Sequence, residues 1–335
     1  MTRRELITKL GSHGLAFGLM AHTWPAKAAP PARPTGNVVL ITGTSSGFGE
    51  QMALRFARAG DRVYAGQRNL LNAAGTERPE ARRLRDLARS ENLFLEILSL
   101  DVCRDTDRSA AVAEVLKREG RIDILINNVG IIAFTAIETA PTALWRLQME
   151  TNVFGPMDLA SRVLPAMRAQ GSGLIITVSS RVGRITMPGI GLYAASKFAL
   201  EAAVEAAHYE NTPQGISFAM IQPGAFGTRV NANAVQLYRD FTLPLLLRER
   251  PEGELHHRQF LAILERNFSS TPARDPAEVA ELALQIARLP RSARVLRYPV
   301  GDAWERDSLE RLNQTLAPFQ KTAVEEAGYA DWYGP

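Results

Sequence analysis

The stretch Val38-Val39-Leu40-Ile41-Thr42-Gly43-Thr44-Ser45-Ser46-Gly47-Phe48-Gly49 decides the fold. Its first half, VVLITG (38–43), is a short continuous apolar run, the pattern of a strand buried on both faces. Its second half is a turn carrying Gly43, Gly47 and Gly49. The residues that follow, 50–59, place Met52, Ala53, Phe56 and Ala57 on one helical face, and Gly60 ends the helix. Strand, glycine turn and helix in that order suit a dinucleotide pyrophosphate. Missing side chains let the backbone approach the phosphates, and the helix N-terminus supplies N–H groups and a positive dipole. The spacing is G-x-x-x-G-x-G, not the commoner G-x-G-x-x-G, so on these residues alone a tight turn without a ligand is the alternative.

Outward from this stretch the chain keeps alternating. RVYAG (62–66), 93–100, IDILINN (122–128), 174–180, 216–223 and 293–300 read as strands. Between them, 81–90, 106–119, 140–169, 193–210 and 275–290 read as helices. Strands alternating with helices predict a parallel sheet with helices on both faces. Residues 229–274 lack clean alternation and read as an insertion.

Composition narrows the class. The 335 residues are 46% hydrophobic and 22% charged, which excludes disordered, collagenous and disulfide-scaffold chains. A formal charge of +4 is too small to argue for nucleic acid, and no nucleic-acid partner is expected. Part of that charge is local: Arg3, Arg4, Lys9 and Lys27 stand against Glu5 alone in residues 1–28. Cys103, the single cysteine, excludes an intrachain disulfide and reads as a small buried hydrophobe. His256 and His257 are adjacent, point different ways and read as surface, so no metal is expected.

Residues 1–28 have a basic start, a short apolar middle and the triplet Ala26-Lys27-Ala28, the arrangement of a cleaved signal peptide. TRRELI resembles a twin-arginine signal. The apolar part is far below the ~20 residues that span a bilayer, so no integral membrane span is expected. The expected organisation is a signal at 1–28, a linker at 29–36, one catalytic domain at 37–305 with its insertion at 229–274, and an extension at 306–335. The expected location is periplasmic or exported; a cytoplasmic protein with an N-terminal extension is the alternative.

Tyr193-Ala194-Ala195-Ser196-Lys197 is the second informative stretch. Tyrosine and lysine four apart share a helix face. A nearby ammonium favours the phenolate and lowers the phenol pKa, which suits proton exchange with an alcohol or carbonyl oxygen.

With these motifs in hand, the chain resembles the short-chain dehydrogenase/reductase family in its ordinary, non-extended form. TGTSSGFG is similar to the family's cofactor loop. Asp101 in LDV matches the residue at the adenine, NNVG (127–130) the family's NNAG, and Asn152 in TNVFG the family asparagine. Ser180 stands thirteen residues before Tyr193, the family interval for the catalytic serine, so Ser179 is its neighbour. Pro223-Gly224 and Thr228 match the segment over the nicotinamide. The resemblance spans about 37–230 and implies a Rossmann-type doubly wound α/β domain.

It also implies roles. Asn152, Ser180, Tyr193 and Lys197 are the catalytic set: Tyr193 as general acid/base, Lys197 to lower its pKa and bind the ribose, Ser180 on the substrate oxygen, Asn152 on a relay water. Gly43, Ser45, Ser46, Gly47, Phe48, Gly49, Arg68, Asp101, Val102, Asn128, Gly130, Tyr193, Lys197, Pro223, Gly224 and Thr228 are expected at the cofactor. After the second strand, AGQRN carries no acidic residue for a ribose 2′-OH, while the Arg68 guanidinium suits a 2′-phosphate. NADP(H) is therefore favoured, with NAD(H) the alternative.

The expected activity interconverts an alcohol with its aldehyde or ketone. Phe241, Leu243, Leu245, Leu246 and Leu247 surround Pro244, and Met187, Ile190 and Phe226 flank the catalytic segments. They suggest a hydrophobic small-molecule substrate under a lid, or else a helix packing on the body. The resemblance is compatible with a homodimer or homotetramer. A catalytically silent, dinucleotide-binding redox sensor on the same fold is the other class; the joint presence of Ser180, Tyr193 and Lys197 favours the enzyme.

Overall fold

The structure is a computed structural model. It describes residues 36–329 apart from residues 73 and 270–273, and without the side chains of 255–256 and 267–269. The expected signal at 1–28 and the linker, Gly36 excepted, lie outside the described residues.

Seven strands form one sheet: β1 (Val38–Thr42), β2 (Arg62–Gln67), β3 (Leu95–Ser99), β4 (Ile124–Asn127), β5 (Gly173–Val178), β6 (Ile216–Pro223) and β7 (Arg297–Val300). Their order is β3-β2-β1-β4-β5-β6-β7, and every pairing is parallel. The order reverses between β1 and β4, so the loops leaving those two strands part and open a crevice there.

Period-two alternation assigns each strand side chain to a layer. Val39 and Ile41 join Val63, Ala65 and Ile126 on one face. These pack on α1 (Gly47–Arg58), α2 (Pro79–Ser90) and α10 (Ala277–Arg288) through Met52, Phe56, Leu84, Val279 and Ile286. Val38 and Leu40 join Tyr64, Leu125 and Phe218 on the other. These pack on α3 (Asp105–Glu119), α5 (Gly155–Gln170) and α6 (Gly191–Asn211) through Val115, Val163, Met167 and Val204. Burying such a side chain contributes about 1.5–3 kcal/mol, and these two layers fix the sheet between the helices.

Four expectations change. The helix expected at 140–169 is α4 (Thr142–Met149) and α5 joined by a π turn over Glu150–Phe154. The insertion is helical: α7 (Arg229–Leu237), a π turn over Tyr238–Thr242, α8 (Leu243–Glu249) and α9 (Glu254–Ser269). Leu243, Leu245 and Leu246 are buried in it. Leu243 and Leu246 pack with Phe134, Tyr238 and Leu264, with Ile132, Ile190 and Phe260 alongside. Most of the apolar run is thus spent on packing, and Phe241 alone of its large side chains is markedly exposed. His257, read as surface, is buried, and its carbonyl accepts from the Tyr238 hydroxyl at 3.0 Å. At the end of the chain, α11 (Ala303–Glu326) runs straight through the expected 305/306 boundary.

Phe218 is fully buried in the second layer. Phe218→Ala should lower the free energy of urea unfolding by about 3–5 kcal/mol. A loss under 1 kcal/mol would show that this layer is not close-packed.

Candidate active site

The crevice is built from the ends of β1 and β4. Thr42 Oγ1 donates to the Ile126 carbonyl at 3.3 Å and accepts from the Asn128 and Val129 amides at 2.9 and 3.1 Å. Asn128 Nδ2 donates to the carbonyls of Thr42 at 2.9 Å and Gly43 at 3.1 Å. Asn128, expected at the cofactor, therefore spends its amide on locking these strand ends together.

The glycine turn then enters α1. Gly47 has φ +60°, and a Cβ on Gly49 would collide with the Gly43 carbonyl, so neither position tolerates a side chain. Ser46 is the N-cap and makes no side-chain capping bond, which leaves the first-turn N–H groups facing the crevice. This backbone cradle fits a dinucleotide pyrophosphate. Phe48 turns inward and meets Phe226 edge-on at 5.4 Å. Phe226 is thus core beneath the loop and not a wall of the substrate cleft. Thr228 lies against Gly47: a Cβ there would be 3.4 Å from Thr228 Cβ. Thr228 Oγ1 also caps α7 by accepting from the Val230 amide at 3.4 Å.

At the adenosine end, Thr44 binds the Gly66 carbonyl through its amide at 3.1 Å and its hydroxyl at 3.2 Å. Gln67 is buried and donates to the Thr44 carbonyl at 3.2 Å, so it serves the loop. Arg68 follows, exposed at the end of β2. Asp101 Oδ1 accepts from the Cys103 amide at 3.0 Å, and Val102 is buried with its carbonyl on Arg108. Cys103 is only partly buried, and its sulfur lies 3.3 Å from Thr151 Oγ1.

The catalytic candidates converge from β5, α6 and the π turn. Ser180 begins the short turn Arg181–Gly183 after β5 and accepts from the Val182 amide at 3.3 Å. Its hydroxyl faces Tyr193 on α6 and favours the ionised phenol. One turn on, Lys197 Nζ lies 5.9 Å from the Tyr193 ring centre and donates to the Val178 carbonyl at 2.8 Å. A Cβ on Gly130 would lie 3.6 Å from Asn152 Oδ1 and 3.7 Å from Lys197 Nζ, so the bare glycine backs both.

The Asn152 amide ties local groups: Oδ1 accepts from the Ile131 amide at 2.9 Å, and Nδ2 donates to the Ile131 carbonyl and Ser196 Oγ, each at 3.0 Å. It fixes the β4 loop to α6. One expected titration is corrected. Lys197 does not bring Tyr193 below an ordinary tyrosine. Burial pushes the phenol up to about 12, opposed only by the Ser180 hydroxyl, and pulls Lys197 down to about 8 against the pull of Glu201.

Sequence reading missed the polar groups behind this set. Gln148 supports the same loop as Asn152, accepting from the Ala133 amide at 2.8 Å and donating to the Ile131 carbonyl at 2.9 Å. Buried Glu201 accepts at Oε1 from Ser179 Oγ and Gln222 Nε2, both 2.8 Å, and at Oε2 from Arg297 at 3.0 Å. Its signal was there to find: Glu201 is four residues past Lys197, on the same helix face.

The short chain dehydrogenase family profile matches residues 37–238. The chain belongs to the short-chain dehydrogenase/reductase family. Members of this family are NAD(P)-dependent oxidoreductases. The oxidoreductase YusZ of Bacillus subtilis is 32% identical over 269 residues, covering 79% of this chain and 89% of its own. A 3-ketodihydrosphingosine reductase of Bacteroides thetaiotaomicron is 36% identical over 197 residues, covering 58% of this chain and 66% of its own. A solved short-chain dehydrogenase from Streptomyces avermitilis superposes with TM-score 0.65 at 28% identity, covering 87% of this chain and 99% of that one. Among the described residues, no helix is long and apolar enough to cross a membrane.

The Lys197 titration has a measurable consequence. The folded chain holds it at about 8, against 10.5 when free. Below pH 8 both states are protonated, and the folded one bears the full cost of the buried charge. Between pH 8 and 10.5 the unfolded chain binds the extra proton, so wild-type stability gains with rising pH. Lys197→Met lacks this gain. Its unfolding free energy relative to wild type should fall by about 2–3 kcal/mol between pH 7 and pH 10 in urea titrations. A constant difference would place the lysine's titration outside that window.

Proposed function

We propose that the chain interconverts an apolar ketone or aldehyde with its alcohol, acting as a reductase at neutral pH, with NADP(H) preferred. The observation that carries this reading is the convergence of Ser180 at the end of β5 with Tyr193 and Lys197 on α6, the Lys197 ammonium standing 5.9 Å from the Tyr193 ring centre. Bound nicotinamide supplies the hydride. The chain's own groups bind and protonate the substrate oxygen. Ser180 Oγ and Tyr193 Oη donate to it, so negative charge developing there meets two donors. A phenol pushed up to about 12 keeps its proton at neutral pH, which suits an acid that delivers it only as the oxyanion forms. Lys197, charged below about pH 8 and one turn away, then stabilises the phenolate left behind.

An apolar substrate is supported by Ile132, Ile190 and Phe260, half-buried between the β4 loop and the insertion, and by exposed Met187, three residues before Ile190. The Bacteroides relative, by name a reductase of a 3-keto compound, supports a ketone. Arg68, exposed at the end of β2, supports NADP(H).

The test is NADPH oxidation against a panel of ketones and aldehydes. On a turned-over substrate, Tyr193→Phe should cut kcat by ~10²–10⁴-fold while leaving NADPH affinity nearly unchanged. Wild-type turnover in that variant would assign the proton to another group. Because Lys197 titrates at about 8, kcat/KM for NADPH should fall on a single limb above that pH; a profile flat to pH 10 counts against the ammonium. Arg68→Ala should weaken NADPH binding by about 10- to 150-fold and barely change NADH binding. Equal losses for both would remove Arg68 from the role.

A further inference from the structure

Helix α11 lies beyond the stretch matched by the family profile, yet it reaches the site. Asp302 caps it by accepting from the Glu305 amide at 2.8 Å, which fixes the first turn. Glu305 is buried, and its Oε1 pairs with Arg181, the residue after Ser180. Its Oε2 lies against Gly224, where a Cβ would collide with it, and against Gly301. Gly224 in turn donates its amide to the Val300 carbonyl at 2.7 Å. One turn pair further on, Asn313 Nδ2 donates to Gln222 Oε1 at 2.8 Å. The helix thus grips the residues on either side of Pro223 and the residue next to Ser180.

These contacts close a circuit with Glu201. From Glu305 the path runs to Arg181, back along the chain to Ser179, across to Glu201, on to Gln222, along the chain to Gly224 and back to Glu305. Both strand ends that present groups to the nicotinamide half of the site lie on that path. The glycine at 224 is explained by it: a side chain there would expel the Glu305 carboxylate. A buried carboxylate is held tightly to its partner because leaving it unpaired is costly, so Glu305 holds Arg181 and the Gly224 turn at a fixed separation.

We infer that Glu305 is a positioning residue: α11 acts through it to set the spacing between the Ser180 turn and the Pro223-Gly224 segment, and so the grip on the nicotinamide ring. This rests on the reading of the crevice as an NADP(H) site. A merely structural pair would lower thermal stability and weaken every nucleotide alike. A positioning pair acts selectively on the nicotinamide half.

The experiment is calorimetric titration of the full-length protein with NADPH and with 2′-phospho-ADP-ribose, which lacks the nicotinamide. Wild type, Glu305→Gln and the more exposed Arg181→Met are compared. The expected result is an NADPH affinity about tenfold weaker in both variants, with 2′-phospho-ADP-ribose changed less than about twofold. Equal loss for both nucleotides, or a lowered melting temperature with unchanged affinities, overturns the proposal while leaving the nucleotide site standing. A wild type that binds the two nucleotides alike overturns it as well. A wild type that binds neither overturns the nucleotide site and the positioning role together.

Discussion

A carboxylate sealed inside a protein has to be met on its lone pairs, and Glu201 is met from three directions. Ser179 comes from the end of β5, Gln222 from the end of β6 and Arg297 from β7. Arg297 also pairs with Glu205 at 2.6 Å, so the charges on α6 are balanced by a cation reaching in from the sheet edge. Breaking such a buried pair by removing one member costs ~3–5 kcal/mol, enough to enforce the geometry. That geometry is the site: Ser179 precedes Ser180, Gln222 precedes Pro223, and Glu201 follows Lys197 by one helical turn. The reacting groups inherit their spacing from neighbours that never touch a substrate.

The opposite wall of the crevice is built by backbone and uncharged side chains. Thr42 and Asn128 tie β1 to β4 where the strand order reverses, and the glycine turn follows directly. On this side precision comes from neutral groups, the Thr42 hydroxyl and Asn128 amide bonded to backbone, and the uncapped N-terminus of α1 follows. On the catalytic side it comes from charged side chains on helices. The two constructions suit their tasks. A phosphate is recognised by N–H groups of any residue, whereas proton transfer needs one hydroxyl at one place.

Much of this was legible in the sequence because it is local. Apolar runs bounded by glycine give the strands, period-two alternation gives the two layers, and the Tyr193–Lys197 interval gives a shared helix face. Ser180, Tyr193, Lys197 and Asn152 do come together. What was illegible depends on distant partners. Nothing at Glu305 announces that it will meet Arg181, more than a hundred residues earlier. Nothing in DFTLPLLL says whether its leucines line a cleft or pack on Phe134 and Tyr238. Asn128 and Asn152 both bond to backbone groups of distant or looped segments, partners that spacing along the chain does not name.

The titration of the tyrosine–lysine pair shows where a spacing rule stops. Four residues on a helix guarantee proximity, and proximity to an ammonium should lower a phenol's pKa. Here Lys197 has turned its ammonium onto the Val178 carbonyl, and burial acts on both groups with opposite signs. Desolvation disfavours whichever form is charged, so the phenol rises to about 12 while the lysine falls to about 8. A neutral phenol beside a lysine close to losing its proton is a resting state that stores a proton for delivery. The ammonium's attraction matters once negative charge appears on the tyrosine oxygen. At that moment the low-dielectric surroundings that raised the phenol also strengthen the pull between phenolate and ammonium. Burial therefore makes the pair hard to ionise at rest and strongly coupled in the act.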